Sequence, residues 1–225
     1  SRGLIKTISN DDFENDNFKF GTSKFITIEG VKIWAQRLSY VGELGYEIYI
    51  KNEYAHKIYN LIVNTGKEFH LSHCGAHTMD TMRMESGFLH WGHDISPEEN
   101  QYQSGLSFTI SYKKNYDFIG KKKLLKIRGD KIDRKFAMFV LTNSQPGSPL
   151  LLHEEPIYLE NEIIGKTTSG NYSFNFDKNL SFGYIKSGLS NEELTKKTLY
   201  IEIEKRKYPA EILLKPLKQS NFKSI

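Results

Sequence analysis

His73 and His77 stand four residues apart, the spacing at which two imidazoles share a helix face and can hold zinc. His70 and Cys74 lie beside them, and His90 and His93 follow downstream. No second tight cluster completes a tetrahedral set, and a helix beginning inside this run would separate the two imidazoles. The histidines therefore read as surface or capping groups, and no metal is expected. Nucleophilic chemistry finds as little support. There is no Gly-x-Ser-x-Gly elbow, and the single thiol, Cys74, has only His73 beside it. Adjacent helical residues point about 100° apart, which places that pair poorly. Gly42 and Gly45 lack the spacing and the following helix of a dinucleotide loop.

Tyr46 to Ile50 offers more. Read as a strand, it puts Tyr46, Ile48 and Ile50 on one face and Glu47 with Tyr49 on the other. One account is a half-exposed sheet with a solvated carboxylate. The other is that Glu47 accepts paired hydrogen bonds from a planar ring edge carrying adjacent N–H and NH2 donors, as pterins and guanines do.

The elements that would position these residues fall into two textures, changing near residue 130. Val31 to Ser39 alternates as a strand, and a Gly-bearing turn, Val41 to Gly45, leads into Tyr46 to Ile50. Asn52 is the expected N-cap of a helix that puts Tyr54, Ile58, Leu61 and Ile62 on one face and stops near Gly66. A further helix is expected from near Gly75 to Glu85, with a break at Gly87, and Asp117 is expected to cap a short basic helix, Ile119 to Lys126. Arg128 to Arg134 is polar and linker-like.

Short strands follow at Phe136–Leu141, Pro156–Leu159, Ile163–Thr168, Leu180–Ile185, Thr198–Glu204 and Lys207–Leu214. Glu160-Asn161-Glu162 and Lys205-Arg206-Lys207 supply reversals, and Ser190 to Glu193 has capping-box spacing. Six strands so spaced suggest a small antiparallel barrel or sandwich.

Composition sets the bounds. The 225 residues, 38% hydrophobic and 13% aromatic, suffice for an ordered core and for two small domains. The net charge of +4 comes mainly from dispersed Lys. Even Lys121 to Lys123 with Lys126 reads as a solvated helix face, so no nucleic-acid partner is expected. No apolar run approaches the roughly 18 residues of a membrane span. A single cysteine excludes an internal disulfide and suits a reducing compartment, the cytoplasm. With no initiator Met and no leader, the chain reads as a piece of something longer.

Several ordered motifs carry a resemblance. Tyr40-Val41-Gly42-Glu43-Leu44-Gly45-Tyr46-Glu47 resembles a signature of glycine-cleavage T proteins, and Asp80-Thr81-Met82-Arg83-Met84-Glu85-Ser86-Gly87 resembles a second. His90-Trp91-Gly92-His93-Asp94-Ile95, Asp117-Phe118-Ile119-Gly120-Lys121 and Thr168-Ser169-Gly170-Asn171-Tyr172 follow in order. The chain is similar to the aminomethyltransferase family, most of all to its branch within dimethylglycine and sarcosine dehydrogenases. Trp91-Gly92, and Met79 where T proteins proper carry Arg, both agree with that branch.

The resemblance implies an α+β fold: a partial folate-binding, ferredoxin-like α/β region over 1–128, then a small antiparallel β-barrel over 134–225. It implies tetrahydrofolate as the group that takes up a one-carbon unit from a methylated amine, giving methylenetetrahydrofolate, with FAD only in a missing upstream domain. Glu47 aligns with the carboxylate that holds the pterin, and Tyr49 and Tyr40 would line the same pocket. Arg83, Glu85 and Asp94 read as structural. The family's catalytic Asp lies upstream of this chain, so no catalytic residue is assigned, and the fragment alone is expected to be inactive. The implied partners are folate, the methylated amine and the upstream part of the same polypeptide. Two alternatives stay open. One is a non-catalytic folate-binding, assembly or tRNA-modification module of the same fold; the other is a sulfonium demethylase.

Overall fold

A computed structural model describes residues 1–219, 223 and 224. The chain forms two compact units, Ser1–Ser86 with the stretch from Lys218, and Gly87–Leu217.

The first unit begins with α1 (Arg2–Ile8) and continues into a sheet of β1 (Ser23–Ile28), β2 (Val31–Gln36) and β3 (Glu47–Tyr49), in the order β1-β2-β3. Both pairings are antiparallel. Glu29 and Gly30 join β1 to β2, both at positive φ (50° and 76°). That left-handed pair matches the right-handed strand twist that tight hairpins require. Period two then sends Ile26, Ile28, Ile33 and Ala35 inward, where all are at most 1% exposed. They pack with Ile5, Phe13, Phe18 and Ile58. Each fully buried Ile or Phe contributes about 1.5–3 kcal/mol through lost contact with water.

Ile58 comes from α2 (Asn52–Gly66), with Leu61 and Ile62 beside it on the core face. Tyr54, expected on that face, stays 37% exposed in the first turn. The expected cap at Asn52 is also displaced. Lys51 holds the N-cap position in extended backbone, with no side-chain cap, and Asn52 is the first helical residue. Then comes α3 (Ala76–Glu85), N-capped by Gly75 and followed by Gly87 at φ +73°.

In the second unit, α4 (Lys121–Ile127) precedes six strands: β4 (Arg134–Leu141), β5 (Pro156–Leu159), β6 (Glu162–Ser173), β7 (Lys178–Lys186), β8 (Leu199–Ile203) and β9 (Arg206–Leu213). They close into a barrel in the order β4-β7-β6-β5-β8-β9. The fold is therefore mixed α and β with a closed antiparallel barrel, as the sequence implied. Phe139, Leu141, Ile157, Leu199 and Ile201 fill the barrel at no more than 1% exposure.

Several details differ from the sequence reading. Asp117 does not cap α4. Gly120, at φ +89°, turns the chain into the helix, while Asp117 pairs with Lys121 at 3.1 Å. The β8–β9 reversal is Glu204-Lys205, again with both residues at positive φ, and not Lys205 to Lys207. A register shift between Thr167 and Ser169 carries β6 beyond Thr168, through Ser-Gly-Asn residues that locally resemble a turn.

α5 (Asn191–Lys196) shows the full capping box. The Ser190 hydroxyl accepts from the Glu193 N–H at 3.2 Å, and Glu193 Oε2 accepts from the Ser190 N–H at 2.8 Å. Ser190→Ala should lower stability by about 1 kcal/mol in a thermal melt, because one helix-end N–H loses its acceptor. The backbone and hydroxyl donors of Ser190 hold the Glu193 carboxyl below its ordinary value. Its contribution is therefore present above the unfolded value and lost as pH falls through the lowered folded one. The gap between the two proteins should narrow in acid.

Candidate functional site

In β3, Ile48 turns inward and packs on the first unit's core with Tyr46 and Ile50, while Glu47 and Tyr49 project from the opposite, exposed face. The Tyr49 hydroxyl donates to Glu47 Oε2 at 2.8 Å. That bond, reinforced by the carboxylate charge, raises the Tyr49 phenol above its ordinary value, so it stays a donor at neutral pH. Neither Glu47 oxygen meets a basic side chain among the described residues, and Oε1 accepts nothing from them. The pair therefore presents a carboxyl fork, half engaged by a phenol and half open.

The turn that feeds β3 is held from several sides. The Glu43 N–H donates to Ser39 Oγ at 3.0 Å, and Ser86 Oγ donates to the Val41 carbonyl at 3.3 Å. Lys218 pairs with Glu43. Gly42 sits at φ +70°, and a Cβ there would lie 2.1 Å from Ser86 Oγ, which explains glycine at this point of the motif. Tyr40 lies half-buried at the entry to the turn, seven positions before Glu47, and is not part of the Glu47–Tyr49 pair.

The His90 and His93 rings lie together with centroids 4.5 Å apart, whereas His70, His73 and His77 stand on different elements. His70, at φ 53°, ends a 3-10 turn, and the His73 ring stacks on Tyr59 with centroids 6.0 Å apart. His77 lies in the first turn of α3, so His73, ahead of Ala76, does not share its helix. Cys74 is exposed. Among the described residues no group of three or more His, Cys, Asp or Glu side chains is placed to hold a metal ion.

Three motif residues are buried. Arg83, 1% exposed, places Nη2 2.7 Å and Nε 2.8 Å from Asp80 Oδ1, and Glu85 is fully buried. In the second unit, Asp94 is 1% exposed and ties a tight turn to β6. Its Oδ2 accepts from the His90 N–H at 2.8 Å, and its Oδ1 accepts from Thr168 Oγ1 at 2.5 Å and Ser169 Oγ at 2.8 Å. The Tyr184 hydroxyl donates to the Asp94 carbonyl at 2.8 Å, and burial, then the nearby Glu99 and Asp94 carboxylates, raise that phenol well above its ordinary value. The structural role read from the motifs for Arg83, Glu85 and Asp94 fits this burial. Sequence reasoning did not anticipate that Asp94 would reach Thr168 and Ser169. The only signal was that both stretches belong to ordered motifs.

Residues 1–114 match the family model described as the GCVT N-terminal domain, and 134–218 match the glycine cleavage T-protein C-terminal barrel domain. The chain belongs to the glycine-cleavage T-protein family. As a T-protein-family chain, it is 30% identical to human mitochondrial dimethylglycine dehydrogenase over 217 residues, 96% of the chain and 24% of that protein. It is 30% identical to 4-methylaminobutanoate oxidase (formaldehyde-forming) of Paenarthrobacter nicotinovorans over 218 residues, 25% of that protein. The aminomethyltransferase of Halothermothrix orenii is 31% identical over 171 residues, 76% of the chain and 46% of that enzyme. The chain thus spans about a quarter of the oxidising relatives and under half of the aminomethyltransferase. The crystal structure of glycine cleavage system aminomethyltransferase T from Bartonella henselae shares the fold, with a TM-score of 0.76 at 19% identity, over 90% of this T-protein-family chain and 54% of that one. No helix among the described residues is long and apolar enough to cross a membrane.

Proposed function

We propose that the outward face of β3 binds tetrahydrofolate, and that the protein containing this chain moves a one-carbon unit from a methylated amine of the dimethylglycine or sarcosine type to give methylenetetrahydrofolate. The observation that carries this is the Glu47 fork: exposed, unpaired with any described cation, and braced by Tyr49. A planar edge with adjacent N–H and NH2 groups offers two parallel donors, one to the open Oε1 and one to the remaining lone pair of Oε2 beside the Tyr49 hydroxyl. When bound, the folate supplies the ring nitrogens that take up the one-carbon unit.

Glu47 binds and orients that edge, and we assign it no proton transfer. Tyr49 holds the carboxylate's second oxygen, and Tyr40 completes the expected wall. Holding the ring in place favours reaction mainly by removing its freedom to wander. On this reading, 1–128 form the folate-binding portion and 134–225 the barrel domain. The amine oxidation is assigned on this reading to a flavin domain elsewhere in the protein. The family supports the reading, and so do relatives whose names are those of methylated-amine dehydrogenases. An exposed free thiol at Cys74 agrees with a reducing compartment such as the cytoplasm.

The test is calorimetric titration of tetrahydrofolate into the intact protein and its Glu47→Gln variant. Loss of the charged acceptor should weaken binding by about tenfold or more; equal affinities would sink the assignment. Product analysis completes it. Methylenetetrahydrofolate from a methylated amine supports the reading, whereas methyltetrahydrofolate from a sulfonium donor refutes it.

A further inference from the structure

The register of the three-stranded sheet places more than Glu47 and Tyr49 on its outward face. Tyr49 lies directly across from Trp34, and Trp34 directly across from Phe25. The three therefore form one row across the sheet. Phe25 is 54% and Tyr49 53% exposed, although both are large aromatic side chains, and the Phe25 and Trp34 rings meet edge to face at 4.9 Å. One row to one side, Glu47 faces Gln36. One row to the other side is Lys32, its Nζ 4.4 Å from the Phe25 ring centre and without a carboxylate partner among the described residues.

The face is therefore graded, from an acid through an aromatic row to a base. Rows two residues apart are separated by about 6.8 Å, so the acid and base rows are about 13 Å apart. A reduced folate carries the opposite grading: a donor-rich bicycle, an aminobenzoyl ring and a glutamate carboxylate. An aromatic row exposed at Phe25 and Tyr49 and half-buried at Trp34, with a charge at each end, calls for an occupant, and this charge pattern selects one.

We propose that the Phe25–Trp34–Tyr49 row carries the aminobenzoyl arm of the folate whose ring edge Glu47 holds, and that Lys32 receives its glutamate carboxylate. The proposal rests on the folate reading of Glu47 and extends it to the arm. Trp34, at the centre of the row, provides the main stacking surface. Lys32 sets a preference for longer polyglutamate tails, because each added residue brings another carboxylate within its reach.

The experiment titrates the intact protein with tetrahydrofolate, its pentaglutamate, and a tetrahydropterin lacking the arm. Trp34→Ala should weaken tetrahydrofolate about fivefold and leave the tetrahydropterin within about twofold. Lys32→Ala should weaken the pentaglutamate about threefold at low salt, and less as salt rises. Trp34→Phe should restore affinity while abolishing the folate-dependent quenching that Trp34 contributes to tryptophan emission. Glu47→Gln should weaken all three ligands alike.

Wild-type affinities in both Trp34→Ala and Lys32→Ala, with losses confined to Glu47→Gln, overturn the arm proposal and leave Glu47 standing. Losses in Trp34→Ala for the folates alone, with Glu47→Gln unchanged, support the row and overturn the Glu47 assignment. Altered melting or molecular mass in Trp34→Ala, with unchanged affinities throughout, shows the row to be a protein contact and overturns both. Lys32 is exposed and outside the core, so its variant tests the proposal even if Trp34→Ala fails to fold.

Discussion

Asp94→Ala should lower the unfolding free energy of the Gly87–Leu217 unit by about 3–5 kcal/mol in a urea titration. The carboxylate is 1% exposed and accepts from the His90 N–H, Thr168 Oγ1 and Ser169 Oγ. Truncation removes these acceptors at once, and each buried donor left without one costs about 1–3 kcal/mol. Part of that returns, because the charge no longer has to be desolvated and Ser and Thr hydroxyls can rotate to other acceptors. Two companions apportion the effect. Thr168→Val removes a single donor and should cost about 1 kcal/mol, while Asp94→Asn keeps the shape and should fall between the two. A loss under about 1 kcal/mol for Asp94→Ala would mean that water reaches the donors, and that the turn and β6 are not bound through this carboxylate.

The second large effect is steric. Gly165 in β6 lies opposite Ile185 in β7, and a Cβ on it would sit 1.9 Å from the Tyr184 carbonyl oxygen and 2.9 Å from the Ile185 Cα. These are backbone atoms of the paired strand, so no side-chain rotation relieves the overlap. Gly183 faces the same ladder from the other strand, its own Cβ position 2.4 Å from the Lys166 carbonyl oxygen. Gly165→Ala therefore has to part β6 from β7, and should cost about 3 kcal/mol or more, at or beyond the upper end of ordinary overpacking. Gly188, with no atom within 4 Å of its Cβ position and no positive φ, is the control. Gly188→Ala should change stability by no more than about 0.5–1 kcal/mol, in the stabilising direction, by restricting the unfolded chain. Similar melting curves for the two alanine variants would refute the close approach of β6 and β7.

Much of the barrel was legible because alternation is a local signal. Pro156–Leu159 reads with its observed boundaries, since a proline opens it and Glu160-Asn161 closes it. The capping box at Ser190 needs only four consecutive residues. The face of β3 was legible for the same reason. What the sequence hid depended on distant partners. β1 escaped because Phe25 to Ile28 runs into Glu29-Gly30, a turn that lacks the usual Asn or Asp before its glycine. The aromatic row is invisible without register, because Phe25, Trp34 and Tyr49 are unremarkable one at a time. Asp117 misled because an acidic residue ahead of a basic helix is a fair cap, and nothing local announces that Gly120 takes the bend. The Asp94 hub depends on hydroxyls 74 and 75 residues further on, a relation no spacing rule encodes.

The closed ring of strands has a consequence for biosynthesis. β4, the first barrel strand to leave the ribosome, completes its pairing only against β9, with Val140 opposite Glu211. At about 5–20 residues per second, translation leaves the outer edge of β4 open for several seconds. Until then its backbone donors and acceptors must be satisfied by water or by a chaperone. Ribosome-bound chains halted before β9 should thus be far more sensitive to protease than chains released a few residues after it.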